Sequence, residues 1–427
     1  MNNTIKLAVA SALLAAASSA SAAGGIVAGD WTLDIGGIVN AYYTTTKYKG
    51  SDAGTGPLGQ QSGESSKVNN ITTGLLPNYL SVSGKTRQND LDVGFTISIN
   101  PGASTASGGG QGAFQENRQA FLTFGDASWG SVKLGKDLGI YASDAILSDM
   151  TLLGVGSGAG HINNTTTLGR IGTGYMYADW KSQVAYSSPN FNGFNFTAGV
   201  TQAWNAVSYA DLLAAGAANG VGLTALNSAT STDRGGNAPA FEAKAAYAFS
   251  ADAVNGKVWV SGLSQKVKGL AGTGENADTS STANAWDVGA NANFAGFGAT
   301  AYYGEGKGIG QTIQFSDGFD SDNQKRKSTQ YYVQGTYTLP GVGTKLGASY
   351  GESKLEGNTV DNFGNLKDNM LVVGAYHPLT KHLTLVAEYS DTERKVSNVS
   401  GYNASEDSDA SSKASAQTVS LGAILFF

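Results

Sequence analysis

The chain has 427 residues, with 59 glycines, 7 prolines, no cysteine and a formal charge of −6. The missing cysteine excludes disulfides and thiolate metal sites, and the acidic balance argues against nucleic acid as a partner. No stretch approaches eighteen consecutive apolar residues, which excludes a transmembrane helix, and a mean hydropathy of −0.16 suits a barrel with a polar lumen and polar loops.

At the start, Lys6 precedes the short apolar run 7–17 and then Ala20-Ser21-Ala22. A charged n-region, a short h-region and an A-x-A site predict a secretory signal peptide over residues 1–22, removed to leave 23–427 with a charge of −7. The alternative is a retained amphipathic helix. In the segment 30–48, Trp31, Leu33, Ile35, Val39 and Tyr43 share one parity, and Asp30, Thr32, Asp34 and Asn40 share the other. Period two predicts a strand with one apolar face. A Gly/Ser/Asn-rich stretch follows to about Pro77. Next comes a hairpin around Gln88-Asn89-Asp90, whose second arm alternates Leu91, Val93, Phe95, Ile97 and Ile99 against Asp92, Gly94, Thr96 and Ser98.

That rhythm continues. Strands are predicted near 114–125, 130–137, 178–188, 194–204, 239–250, 257–267, 284–294, 297–303, 328–339, 344–351, 369–377, 383–392 and 416–427, sixteen with the first three. Short turns alternate with long loops at about 204–238, 267–283, 304–327, 352–368 and 393–415. An even strand count and this length asymmetry predict an all-β, sixteen-stranded antiparallel transmembrane barrel with short periplasmic turns. Tyr42, Tyr43, Tyr247, Phe249, Tyr302, Tyr303, Tyr331, Tyr332 and Tyr389 cluster near strand ends, where interfacial girdles are expected. In 417–427, Val419, Leu421, Ala423, Leu425 and Phe427 share one face. A bare apolar edge of that kind invites aggregation in a soluble protein but is harmless where it closes a barrel in lipid. A soluble β-solenoid or sandwich is the alternative. A solenoid would show a fixed short repeat, which is absent.

Several stretches resemble the general porins of Gram-negative bacteria: 117–136 (NRQAFLTFGDASWGSVKLGK), 148–150 (SDM), 168–170 (LGR), 184–196 (VAYSSPNFNGFNF) and 375–385 (AYHPLTKHLTL). The final strand also resembles the terminal signature of outer-membrane barrels, in which Phe427 would be read by the barrel-assembly machinery. The resemblance implies a homotrimer in the outer membrane, surrounded by lipid and passing small hydrophilic solutes and ions. It also implies an inward-folded third external loop, here about 138–172, that narrows the pore. Asp149 then matches an acidic loop position, and Arg170 and Lys136 match basic wall positions. Leu153 and Tyr79 stand where the family has a second carboxylate and a further base, so at most weak cation selectivity is expected. Strict alternation would turn Lys136 outward with Val132 and Leu134. A bulge at Gly135 would re-aim it into the pore.

Asp144 and His161 complete the expected constriction. Lys85, Arg87, Asp179 and Lys181 are expected on the lumen wall, where polar residues are required whether or not they filter ions. The segment 143–150 predicts one or two helical turns with Ser143 as N-cap. Tyr141, Tyr175 and Tyr177 are candidates for aromatics lining a selective path, or else packing residues. Chemistry beyond passage is weakly signalled. The three histidines, His161, His377 and His382, lack metal-ligand spacing, and Gly156–Gly160 (GSGAG) is neither a P-loop nor a dinucleotide fingerprint. No cofactor, metal or catalytic residue is expected. The alternatives to a general porin are a channel selective for oligosaccharides or organic anions, an adhesin or receptor, and a barrel hydrolase.

Overall fold

The computed structural model describes residues 25–50, 56–59, 66–104, 115–162, 166–204, 238–251, 253–268, 280–320, 324–358, 364–397 and 412–427. The expected leader, residues 1–22, and most of the loops at 204–238, 267–283 and 393–415 lie outside these residues.

Sixteen antiparallel strands close into one barrel. They are β1 (Trp31–Lys49), β2 (Tyr79–Gln88), β3 (Leu91–Pro101), β4 (Ala120–Asp126), β5 (Gly130–Leu138), β6 (Trp180–Ser187), β7 (Phe194–Thr201) and β8 (Ala240–Ala251). The second half comprises β9 (Val254–Lys268), β10 (Ser280–Phe294), β11 (Phe297–Lys307), β12 (Lys327–Thr338), β13 (Lys345–Glu356), β14 (Asn365–Pro378), β15 (Leu383–Ser397) and β16 (Ser412–Phe426). Each pairs with its sequence neighbour, and β16 closes on β1 from Ile38↔Phe426 to Lys49↔Ser415. Phe427 completes the seam: its N–H donates to the Gly37 carbonyl at 3.1 Å and its own carbonyl accepts from Gly37 N at 2.9 Å.

Alternation explains the two faces. In β16, Val419 and Leu421 are exposed while Thr418 and Ser420 are buried; in β3, Ile97 and Ile99 are exposed while Thr96 and Ser98 are buried. The apolar set suits acyl chains, and the hydroxyl set faces the interior. The same rule corrects the aromatic girdle. Each Tyr-Tyr doublet splits, so Tyr43, Tyr303 and Tyr331 take the outward parity while Tyr42, Tyr302 and Tyr332 turn inward and are buried.

Several strands run further toward the long loops than apolar alternation indicates. β13 ends at Glu356, β15 at Ser397, and β10 begins at Ser280. Their extra residues are mostly polar, with Leu355, Val396 and Ala283 as isolated exceptions, so hydrogen-bonded pairing continues where no apolar stripe marks it. β1 changes partner along its length. Thr32–Ile38 pairs with β2 and Tyr42–Lys47 with the short strand Lys67–Thr72. Asn40 bridges the changeover, donating to Leu76 O at 2.9 Å and accepting from Gly74 N at 2.9 Å.

Candidate functional site

The β5–β6 connection is the longest described loop, and its anchors go to buried side chains of distant strands. At its neck, Gly139 N donates to Asp179 O at 2.7 Å, and Asp179, at φ +59, accepts Trp180 N on its own carboxylate at 2.7 Å. Burial pushes the Asp179 carboxyl up to about 6. Glu242 of β8 fixes the first turn of the loop. One oxygen accepts the N–H groups of Ile140 and Tyr141, both at 2.8 Å; the other accepts from Lys181 Nζ at 2.6 Å and Thr201 Oγ1 at 2.9 Å. Neither side chain of the Lys181–Glu242 pair reaches solvent. Removing one member of such a pair leaves an uncompensated charge and costs about 3–5 kcal/mol.

A short helix, α1 (Ser143–Ser148), follows. Ser143 is its first helical residue and not its cap: Ala142, at φ +62, makes the entry turn, and the Ser143 hydroxyl donates back to Ile140 O at 2.9 Å. Asp144 lies between Lys257 Nζ at 2.5 Å and Lys244 Nζ at 3.3 Å. Burial would raise its pKa, but the two ammonium groups outweigh it and hold the carboxyl below its ordinary value. Asp149 caps the 3-10 turn Met150–Leu153, accepting Thr151 N at 3.0 Å and Thr151 Oγ1 at 2.5 Å, and it also accepts the Tyr175 hydroxyl at 2.8 Å.

From there the loop bonds to residues of strands distant from its neck. Tyr332 donates to Ala145 O at 2.9 Å, Gln334 takes Met150 N at 2.7 Å, and Tyr42 donates to Leu153 O at 2.7 Å. Glu388 of β15 accepts two consecutive N–H groups, Val155 at 2.6 Å and Gly156 at 2.9 Å, together with the Tyr376 hydroxyl at 2.5 Å. Gly154 is required beside it: a Cβ there would stand 2.2 Å from the Glu388 carboxylate. On the way back, Arg170 Nη1 donates to Met370 O of β14 at 2.9 Å, and Gly174 N donates to Ser353 Oγ of β13 at 2.9 Å. The Arg170 guanidinium is fully buried over the Tyr332 ring, and burial lowers its pKa against the pull of Asp149. Among the described residues no ion pair joins Asp149 to Arg170.

A second segment between β11 and β12, described over 308–320 and 324–326, packs against the first. Tyr177 N donates to Thr312 O at 3.1 Å, and Gln314 accepts Lys181 Nζ at 2.6 Å while donating to Tyr177 O at 2.9 Å. Ile309, Phe315 and Phe319 join Tyr141 and Met176 in one apolar cluster. Within this segment, burial pushes the Asp317 carboxyl up to about 6. On the short-turn side of α1 lies a chamber of about 500 Å³, lined by Asn291, Asn293, Thr300, Thr336, Lys345 and Asp149 among others.

The structure brings Asp144, Asp149, Arg170, Asp179 and Lys181 to one loop and its neck. Lys136 departs from expectation. The ladders run one-to-one through Gly135 on both edges (Phe121↔Gly135↔Gln183, Ala120↔Lys136↔Ser182), so the bulge is absent. Unbroken alternation keeps Lys136 on the outward face of Leu134 and Leu122. Lys85 and Arg87 lie near the Asn89–Asp90 turn, where Arg87 is held by Asp92 at 2.8 Å and Asp126 at 2.9 Å. The His161 backbone pairs with Thr167; its side chain lies outside the described residues. Tyr141, Tyr175 and Tyr177 are all buried, with Tyr175 edge-on to Tyr302 and Tyr332. Glu242, Glu388, Lys244 and Lys257 escaped the sequence reading. Their signal was a charge at the inward parity of its strand, as Glu242 and Lys244 are the two charges of β8 and Glu388 alternates with the outward Tyr389.

The sequence profile of a family described as Gram-negative porin matches residues 8–397. No curated relative matches the sequence. Among solved structures, the anion-selective porin from Comamonas acidovorans superposes with a TM-score of 0.59 at 15% identity, covering 93% of this chain and 100% of that one. The outer-membrane channel DcaP of Acinetobacter baumannii gives 0.59 at 14%, covering 93% and 99%. A trimer form of OmpT, an outer-membrane protein of Vibrio cholerae, gives 0.51 at 14%, again covering 93% and 99%.

Proposed function

From the premise that the chain belongs to the Gram-negative porin family and is an outer-membrane β-barrel protein, we propose that it forms a water-filled channel for passive diffusion of small hydrophilic solutes and ions, with residues 138–172 as its constriction. The observation that carries this reading is the course of the loop, whose anchors pass from Glu242 on β8 through Gln334 on β12 to Glu388 on β15. A segment bonded to the buried faces of strands so far apart crosses the interior and leaves a narrow passage. Selection is then by size and by charge, with no bond made or broken. Three copies per assembly is the arrangement supported by the family and by the Vibrio cholerae protein solved as a trimer. Phe427, at the closing seam, serves as the signal for the assembly machinery.

Deleting residues 143–166 tests the constriction. Single-channel conductance and the size limit for sugars in liposome swelling should both rise. A folded deletion protein with unchanged conductance would place the loop outside the path.

The charges favour anions over the weak cation preference expected from Asp149. Lys244 and Lys257 share one carboxylate, Asp144, and Lys345 lines the chamber. Asp149 already accepts three hydrogen bonds from its own loop. A similar fold carries anion selectivity in the Comamonas porin. The zero-current potential in a potassium chloride gradient decides: a cation-selective sign would reject this preference.

A further inference from the structure

The chamber on the short-turn side of α1 holds a group of side chains that the passage of ions does not require. Its volume is about 500 Å³, within the range of about 300–1,000 Å³ that small organic ligands occupy. Its wall is built by register. Asn255 on β9, Asn293 on β10, Gly298 on β11 and Thr336 on β12 stand directly opposite one another in one row. Gly298 leaves that row hollow: a Cβ there would lie 2.6 Å from Thr336 Oγ1 and 3.0 Å from Asn293 Oδ1. The two oxygens therefore converge on the same gap. Asn293 Nδ2 donates to Asn255 Oδ1 at 3.3 Å, but among the described residues nothing bonds Asn293 Oδ1 or the Thr336 hydroxyl. On the neighbouring strand, Lys345 of β13 stands opposite Thr338 and lines the same chamber. Lys181, Lys244 and Lys257 also face inward, and each meets a carboxylate. Lys345 meets none among the described residues; its ammonium lies 5.3 Å from the centroid of the Tyr376 ring. Asp149, the carboxylate in the chamber wall, is taken up by Thr151 and Tyr175. The loop adds apolar surface from Leu147 and Leu153.

These groups describe a ligand. A bare anion such as chloride takes donors only, whereas Asn293 Oδ1 offers an acceptor. Sugar hydroxyls both donate and accept, as the amide and hydroxyl side chains of this row do. Lys345 calls for one negative charge, and the leucines for a carbon face. We propose that the chamber is a binding subsite for a polyhydroxylated monocarboxylate, a sugar acid. Its carboxylate meets Lys345, and its hydroxyls meet Thr336 and Asn293 over the hollow at Gly298. The inference rests on the channel reading above and adds to it a solute that pauses within the path. The constriction loop stands between this chamber and the long-loop mouth, so the subsite is reached more readily from the short-turn side.

The test compares glucuronate, glucose and acetate as blockers of single-channel current in planar bilayers, each added to either side. Glucuronate should block saturably, with a faster on-rate from the short-turn side. Glucose lacks the charge that Lys345 meets and should need at least about tenfold more for half block. Acetate lacks the hydroxyls and should need about fivefold more or beyond. Lys345→Gln should erase the difference between glucuronate and glucose, and Asn293→Ala should narrow that between glucuronate and acetate. Glucose as effective as glucuronate would overturn the proposal by removing Lys345 from the site. Acetate as effective as glucuronate would also overturn it, leaving only an accumulation of anions. Titration calorimetry on the full-length, detergent-solubilised barrel reads binding without conduction. Absence of glucuronate binding there overturns the proposal, whereas binding by a barrel that passes no current would uphold the subsite and reject the channel.

Discussion

Glu388→Gln separates the hold on the loop from the stability of the barrel. The carboxylate receives three hydrogen bonds, two of them from consecutive backbone N–H groups at the far tip of the loop. A bond to a charged acceptor is worth about 1.5–3 kcal/mol and one to a neutral acceptor about 1 kcal/mol. Gln keeps one acceptor oxygen for the two N–H groups and turns an amide toward Tyr376, whose hydroxyl can accept it. Anchorage of the tip should therefore weaken by about 2–3 kcal/mol. A tenfold population change is about 1.4 kcal/mol, so the released tip should become roughly 30- to 150-fold more populated. Barrel melting should scarcely move, because a neutral amide is cheaper to bury than a carboxylate. Single-channel recording in planar bilayers reads the outcome directly as more frequent current fluctuations, with a new higher-conductance level if the tip swings clear. Tyr376→Phe removes one bond and leaves both N–H bonds, so it should be much quieter. A Glu388→Gln channel with wild-type noise and conductance, in a barrel of unchanged melting temperature, would refute the idea that this carboxylate latches the loop.

Other outcomes follow from the same geometry. Lys136→Gln should leave the zero-current potential unaltered because the unbroken ladder turns that lysine outward, whereas Lys257→Gln should shift it toward cations; the comparison is made at low salt, where screening is weak. Asp179 has a carboxyl at about 6 when folded against an ordinary 3.8, so the folded state holds the extra proton between those values and stability falls as pH rises through that window. Asp179→Asn should match wild type near pH 4 and exceed it above pH 6 by up to about 3 kcal/mol in denaturant titrations, keeping the positive φ that Asn tolerates. Unheated protein on a detergent gel should run as a trimer and collapse to monomer on boiling; a monomer band before heating would reject the trimer.

The barrel was legible because each β-hairpin is a local decision. Alternation in 91–99 or 417–427 names the face, and Asn89 and Asp90, both at positive φ, form the tight turn that their residue types favour. The site was less legible, since its parts meet only through the closed barrel. Nothing near Glu388 in sequence indicates that it meets Val155, 233 residues away. Asp149 was picked out as a charge facing ions, yet the Asp-Met-Thr run makes it a cap. The loop between β11 and β12 passed as an ordinary external loop because Ile309, Phe315 and Phe319 are too scattered to show a period. Lys136 misled for the opposite reason: a resemblance suggested a bulge, and the register kept plain alternation.

The seam between β1 and β16 has a consequence for how the barrel comes into being. Every other contact between neighbouring strands joins segments consecutive along the chain, but the Thr46–Thr418 hydroxyl pair brings together residues 372 apart. Closing a loop of that length in place of a ten-residue one costs about 3 kcal/mol more in chain entropy. Non-local pairing of this kind is also what slows folding. Hairpins can therefore add to one another early and cheaply as an open, growing sheet. Its two free edges, β1 and the newest strand, stay available for mispairing until β16 arrives, and that single late registration converts the sheet into a sealed ring.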